Sequence, residues 1–427
     1  MKFQRDLFGM LADLIGRYGD LVHVQIGGVH AFIVTHPEHL HQVTTTEADR
    51  YIKGDDYTHP ERGLAYFLGS GLIVTDGEFW KRQRRLVAPA LHAKRVEGYA
   101  ETMVEYTLRH LDGWRDGAVL DVDSSMMTLT SAIVAKTLFN ADVERDAKAV
   151  GDAMTTLQHA NAGFDLIPKR IPTPGHLRER RALQTLDAII YRIIEEWRQQ
   201  GEDRGDLLSM LLLARDEDGE PMSDKQVRDE AMTLFLAGHE TTANALNWTW
   251  VLLSQNPEAE RRLHDELDSV LQGEPPTLAD LKRLPYTEMV IKESMRIYPP
   301  AWGFGRKAAV DTRLGGYDIP AGSAVNCGVI HVHRDPRWWP DPMRFDPLRF
   351  DPVREHTAPK YAYMPFGGGP RICIGNTFAM MEARLLLATI ASRYRLLLPS
   401  GTTIHPEPLI TLRPKGGLRM RLARRAP

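Results

Sequence analysis

Ten residues near the end of the chain, Phe366-Gly367-Gly368-Gly369-Pro370-Arg371-Ile372-Cys373-Ile374-Gly375, gather a thiol, a guanidinium and four glycines into one loop. Three consecutive glycines let backbone approach something flat and bulky without Cβ clashes. A helical pattern begins at Asn376, so Cys373 sits near a helix N-terminus, where the dipole and free N–H groups favour a thiolate. A lone thiolate in an apolar loop, with arginine two residues earlier, suits a haem iron and one of its propionates. Two other readings compete. A phosphate-binding loop would need the Lys-Ser/Thr of a P-loop or the spaced glycines of a dinucleotide fold, and neither is present. An inert buried thiol is the commoner fate of a cysteine taken alone, and the setting outweighs it.

A second polar group is His239-Glu240-Thr241-Thr242, in the middle of a long apolar stretch. His239-Glu240 resembles the start of a zinc-protease motif, but position 243 is alanine, so no second histidine follows one turn later. Thr241 can bond back to a carbonyl one turn earlier and bend its helix. Gly238, three residues before it, has no side chain, so that bend can open space beside the helix. Glu240 adjoins Thr241 in sequence but points to another helix face, and is expected to act through water or by swinging. Glu293 and Arg296 are one helical turn apart and can pair; on a surface such a pair contributes only a few tenths of a kcal/mol. His331 and His333 precede Arg334-Asp335 and read as packed or surface residues, and Cys327 reads as a buried, inert thiol.

The elements that must position these groups are mostly helical. The longest helix is predicted from about Asp224 to Ser254, with Ser223 and Gln226 as a capping box and Asn256-Pro257 as its stop. Thirty residues at 1.5 Å make a rod of roughly 45 Å. Its apolar residues (Leu234, Phe235, Leu236, Leu246, Trp248, Val251) lie on several faces, so it should be buried. Alternation from Leu21 to Thr35 around Gly27-Gly28 predicts a β-hairpin, and short β segments follow Pro300. The expected fold is therefore mainly α, with a small β region from both ends of the chain, and residues 1–427 are expected to form one domain. The pattern over Met1–Gly19 predicts a core-facing amphipathic first helix, with a membrane-surface helix as the alternative.

The 427 residues carry a net charge of −3, which offers no global electrostatic case for nucleic acid. Two cysteines are too few for a zinc or iron–sulfur framework or a set of disulfides, and suit a reduced, cytoplasmic setting. No run of about 18 apolar residues could form a transmembrane helix.

The cysteine loop resembles the signature of the cytochrome P450 family. Trp80-x-x-x-Arg84, Ala237-Gly238-His239-Glu240-Thr241-Thr242, Glu293-x-x-Arg296 and Phe345-Asp346-Pro347-Leu348-Arg349-Phe350 match further family landmarks in the same order. The resemblance implies the family's fold, with haem b (iron protoporphyrin IX) held between the long central helix and the cysteine loop. Cys373 would be the iron ligand, and Phe366, Gly367, Gly375, Ala237 and Gly238 would line the haem. Trp80, Arg84, Arg306 and Arg371 would hold its propionates. It adds Arg349 to Glu293 and Arg296 as a buried structural network, and makes Thr241 and Glu240 the oxygen-activating pair. It implies a monooxygenase that uses O2 and two electrons from NAD(P)H, passed on by a ferredoxin or flavodoxin and its reductase. The basic run Lys81-Arg82-Gln83-Arg84-Arg85 would steer that acidic partner. The substrate would be apolar (fatty acid, terpenoid, steroid or macrolide), against walls that include Tyr66, Phe67, Phe164, Phe235, Ala237, Ala301, Trp302, Leu409 and Ile410. A monomer is expected. The competing functions are a haem-thiolate isomerase or peroxygenase and, in another class, a haem sensor or carrier; neither needs the pair Glu240 and Thr241.

Overall fold

A computed structural model describes residues 7–61, 63–139, 149–153, 156–157, 167–200, 206–354 and 358–425. Eight helices organise the site: α1 (Leu7–Tyr18), α2 (Gly77–Val87), α3 (Ala100–Leu111), α4 (Val122–Phe139), α5 (Pro174–Gln200), α6 (Asp224–Gln255), α7 (Pro285–Ile297) and α8 (Asn376–Ala391). The predicted central helix is α6, 32 residues long and buried along nearly its whole length. Its neighbours α4, α5, α7 and α8 cover it on several sides, which is what an apolar surface on several faces requires. The Ser223 side chain accepts from the Gln226 N–H at 3.2 Å, so half of the capping box forms. The other half does not. The Gln226 side chain is instead turned outward by its amide N–H groups, which donate to Ser70 O at 3.2 Å and to Glu230 at 3.1 Å.

The β region does come from both ends. The hairpin β1 (Leu21–Ile26) and β2 (Val29–Val34) pairs in parallel with β8 (Ala324–Cys327), which runs antiparallel to β5 (Phe304–Ala308), and β3 (Tyr51–Ile52) forms the edge. A separate hairpin joins β6 (Thr312–Leu314) and β7 (Tyr317–Ile319). Strand β4 (Val119–Asp121) pairs with β12 (Arg419–Arg424), which also pairs with β9 (Tyr394–Leu397); β10 (Pro406–Pro408) and β11 (Leu412–Pro414) make a short hairpin. None of the residues of α1 is buried; Phe8 packs edge-on against Trp302 and His331, with ring centroids 5.5 and 6.3 Å apart. The first helix thus leans on the fold rather than entering its core.

Two polar clasps hold the walls of the interior. Behind the cysteine loop, Glu293 and Arg296 of α7 are fully buried and paired twice, at 2.6 and 2.8 Å. Arg349 lies 3.3 Å from the same carboxylate, and the Asp346 N–H donates to it at 3.0 Å. Arg296 also donates to His333 O at 2.8 Å, and His333 Nε2 accepts from the Met364 N–H at 2.9 Å. The chain is therefore pinned two residues before Phe366. Burial pulls His333 down to about 3, so it is a neutral packing acceptor.

The second clasp holds residues 67–72 against the start of α6. Arg228 donates to Phe67 O (3.0 Å) and pairs with Asp187 of α5; Asp229 accepts from the Ser70 N–H (2.8 Å) and Glu230 from the Leu72 N–H (3.0 Å). Gly69 and Gly71 permit this approach, since a Cβ there would fall 2.2 Å from Asp229 Oδ1 and 1.9 Å from Thr233 Oγ1.

Candidate functional site

The cysteine loop is built by close backbone contact. Gly369 has φ +64°, and a Cβ on it would fall 1.7 Å from Thr44 O, so only glycine fits. The Cys373 N–H donates to Phe366 O at 2.8 Å and closes the loop just before α8. Arg84 of α2 donates to Ile372 O at 2.9 Å, which brings the expected cation beside the thiol. Burial pushes the Cys373 thiol up, while the Gly375 N–H and Arg84 pull it down. A metal cation bound to the sulfur would reverse the burial effect outright.

Cys373 opens into a cavity of about 310 Å3. Phe366, Gly367, Cys373 and Gly375 line it from the loop, and Ala237, Gly238 and Thr241 line it from α6. Trp80, Arg84, Arg306 and Arg371 line it too, so every residue named above for the haem or its propionates borders one space. Trp80 lies between two cations, with Arg371 4.1 Å and Arg84 5.7 Å from its ring. Lys53 joins these four on the wall, a residue that the sequence alone did not single out. Its segment, Tyr51-Ile52-Lys53-Gly54, carries no signal beyond an ordinary lysine. Burial holds Lys53 well below the usual lysine range, and Arg306 and Arg371 push it further. Burial likewise brings Arg371 down to about 10, against the pull of Asp76. Three guanidinium groups and Lys53 thus border the cavity; of the nearby carboxylates, Asp76 is already engaged by Arg371 and by the Lys53 N–H (2.7 Å), and Asp56 faces Lys53 and Arg306. Desolvated cations in excess of their counter-ions suit an incoming dianion. The two propionates of a haem would satisfy that demand, and Cys373 on the same cavity would supply its iron ligand.

Across the cavity, Thr241 Oγ1 donates to Ala237 O at 2.7 Å and Thr242 Oγ1 to Gly238 O at 3.2 Å. The back-bond expected for Thr241 is therefore present. Gly238 also has a packing role: a Cβ there would meet Val134 of α4 at 3.2 Å. Glu240 is 1% exposed, does not line the cavity, and accepts a hydrogen bond from the Thr411 hydroxyl. His239 points Nδ1 at Phe235 O (2.8 Å), and burial pulls it down to about 4. Glu382 of α8 is fully buried beside Thr242, and burial holds its carboxyl well above the usual range.

Of the expected substrate walls, Ala237 and Ala301 line this cavity. Leu72, Ile73, Leu234 and Val329 supply further apolar surface there. The others lie elsewhere. Phe67 is buried in the core, and Tyr66 lies under Lys169 at 5.5 Å. Phe235 faces a separate apolar void of about 30 Å3 between α4, α5 and α6. Trp302 donates its indole N–H to Leu409 O at 2.9 Å, and Leu409 and Ile410 form the turn that follows β10. Phe164 is outside the described residues.

The basic run on α2 is not a bare patch. Arg82 pairs with Asp216 (2.7 Å), Arg85 with Glu217, and Lys81 with Glu78 (2.7 Å). The acidic partners of Arg82 and Arg85 come from a loop more than 130 residues away, which local charge counting does not include.

A sequence profile described as cytochrome P450 matches residues 2–419. The chain is 40% identical over 410 residues to cyclooctatin synthase of Streptomyces melanosporofaciens, covering 94% of this chain and 88% of that one. It is 38% identical over 395 residues to cyclooctat-9-en-7-ol 5-monooxygenase of the same organism, covering 91% and 84%. Among solved structures, the haem domain of cytochrome P450DA superposes with a TM-score of 0.89 at 26% identity, over 99% of this chain and 93% of that one.

Proposed function

The chain belongs to the cytochrome P450 family of haem-thiolate monooxygenases, and from that premise we propose that it inserts one oxygen atom into an apolar cyclic terpenoid. Its electrons would come from a separate ferredoxin or flavodoxin and its reductase, with NAD(P)H acting only through them. The observation that carries this reading is the cavity's division. Cations gather where the propionates would lie, and no charged residue of the cavity lies on α6 beside Thr241. A site with apolar walls and no charged anchor favours a compact hydrocarbon over a fatty acid, whose carboxylate would need a cation there. A relative whose name makes cyclooctat-9-en-7-ol its substrate is consistent with such a ligand.

When bound, the haem supplies the electron-accepting and oxygen-activating chemistry. The chain supplies the rest. Cys373, held by the glycine loop, would ligate the iron, and Trp80, Arg84, Arg306, Arg371 and Lys53 would hold the propionates. Leu72, Ile73 and Leu234 exclude water, and the Thr241 hydroxyl, donating to Ala237 O, presents its lone pairs to the cavity. A proton passes through Thr241 Oγ1 and is replaced from Glu240 through water.

Optical binding titrations of the haem-loaded protein with a cyclic terpene alcohol, a fatty acid, a steroid and a macrolide test the substrate class. The terpene alcohol should give the tightest water-displacement spectrum, followed by a hydroxylated product with NADPH and a surrogate ferredoxin system. Tighter binding and turnover of the fatty acid would overturn it.

A further inference from the structure

Glu240 stands at the inner end of a hydrogen-bonded chain that the fold alone assembles. Thr411 Oγ1 donates to Glu240 Oε1, and Asn244 Nδ2 donates to Thr411 Oγ1 at 2.9 Å. Asn247, one turn further along α6, donates to Asp123 of α4 at 2.7 Å and approaches Asn244 Oδ1 at 3.5 Å. Arg413, two residues beyond Thr411, lies 3.4 Å from the other oxygen of Asp123. Thr411, Asn244, Asn247 and Glu240 are all buried.

We propose that Thr411 is the positioning residue of Glu240, holding its carboxylate turned away from the cavity in the resting enzyme. This rests on the monooxygenase reading, and it names a residue outside the pair Glu240 and Thr241. The argument is one of direction. An ionised Asp123 beside Arg413 can only accept, so Asn247 must present its amide N–H to it. Asn247 then offers a proton to Asn244 Oδ1, which leaves the Asn244 amide N–H facing Thr411. A hydroxyl has one proton. With a donor already arriving from Asn244, the Thr411 proton has Glu240 Oε1 as its acceptor. Each link fixes the next. Two amides interrupt the path, and amide N–H groups do not readily relay protons, so the chain orients Glu240 rather than conducting to it. Releasing Glu240 to serve Thr241 therefore includes breaking the bond from Thr411. Among the described residues, Asp123 from α4 and Arg413 from β11 face this cluster; His239, the neighbour of Glu240 on α6, is neutral and turned to Phe235 O.

The test uses the haem-loaded enzyme and three variants, Thr411→Val, Thr411→Ser and Glu240→Gln. Infrared difference spectra against Glu240→Gln isolate the Glu240 carboxyl, and their pH titration needs no turnover. Thr411→Val removes a donor to the ionised form, so this band should titrate at higher pH than in the parent. An unheld acid should also release protons out of step, lowering product per NADPH by roughly threefold. Thr411→Ser, which keeps the hydroxyl, should restore both. If Thr411→Val does not bind haem, Thr411→Ala, which also lacks the hydroxyl, should show the same titration shift. An unchanged titration, or a Thr411→Ser variant no better than Thr411→Val, overturns the proposal. Absence of a thiolate-type CO spectrum in the parent would instead sink the monooxygenase reading, leaving the infrared result standing.

Discussion

At the scale of single residues, Cys373 and Thr241 face one cavity from opposite walls and fail in different ways when changed. Cys373→Ser removes the soft, electron-rich ligand but keeps the loop bonds from the Cys373 N–H and Arg84, which are made by backbone and by another side chain. The variant should fold, lose the thiolate-type CO spectrum and show no turnover. A serine protein that retained that spectrum would mean the ligand is another residue. Thr241→Ala removes only a hydroxyl whose bond is to its own helix. Haem content and substrate binding should stay at parental levels, while product per NADPH falls roughly tenfold or more and peroxide rises to match. Parallel measurement of NADPH, peroxide and product decides this, and unchanged coupling would favour peroxygenase or isomerase chemistry.

At the scale of elements, the two clasps make opposite predictions. Glu293 neutralises Arg296 and Arg349 in a buried setting, so Glu293→Ala strands two guanidinium groups behind the cysteine loop. A loss of about 3–5 kcal/mol is expected, read as lower haem occupancy and a lower urea midpoint; normal values for both would show the network to be dispensable. Glu230 behaves differently. Burial pushes it up to about 7, although the Leu72 N–H and Gln226 pull it down. Its folded value thus lies above its unfolded one, so the native state holds the extra proton. The corresponding stability is present at low pH and lost as pH rises from about 4.5 to about 7, and amounts to on the order of 3 kcal/mol. Glu230→Gln, which cannot ionise, should raise Tm at pH 8 and change it little at pH 5. Equal effects at both pH values would show that Glu230 does not titrate in the clasp.

At the scale of the whole molecule, a net charge of −3 and a basic run neutralised by residues 216–217 leave little field to steer an electron donor over distance. Replacing Arg82, Arg85, Asp216 and Glu217 together with alanine should therefore barely alter how the rate of reduction by a ferredoxin depends on ionic strength. The partly exposed pair of Arg82 and Asp216 should contribute less than about 1 kcal/mol to stability in a double-mutant cycle. A marked flattening of the salt dependence would restore the run as a docking surface. Among the described residues no helix is long and apolar enough to cross a membrane.

What could be read from the sequence is what the chain encodes over short spans. The central helix declared itself by its cap, its stop and its apolar faces, because helix formation follows local hydrogen bonding and side-chain periodicity. Glu293 and Arg296 paired as a spacing of three dictates. Cys373 was legible because glycines, arginine and thiol lie within ten residues. The tertiary structure alone decided what depends on distant segments meeting. Lys53 joined the arginines at the cavity wall, Gln226 turned its amide N–H groups to Ser70 and Glu230, and Asp216 cancelled Arg82. Thr411 reached Glu240 across 171 positions. These contacts form because burial forces each polar group to find a partner wherever the fold supplies one, and no spacing rule along the chain reports where that will be.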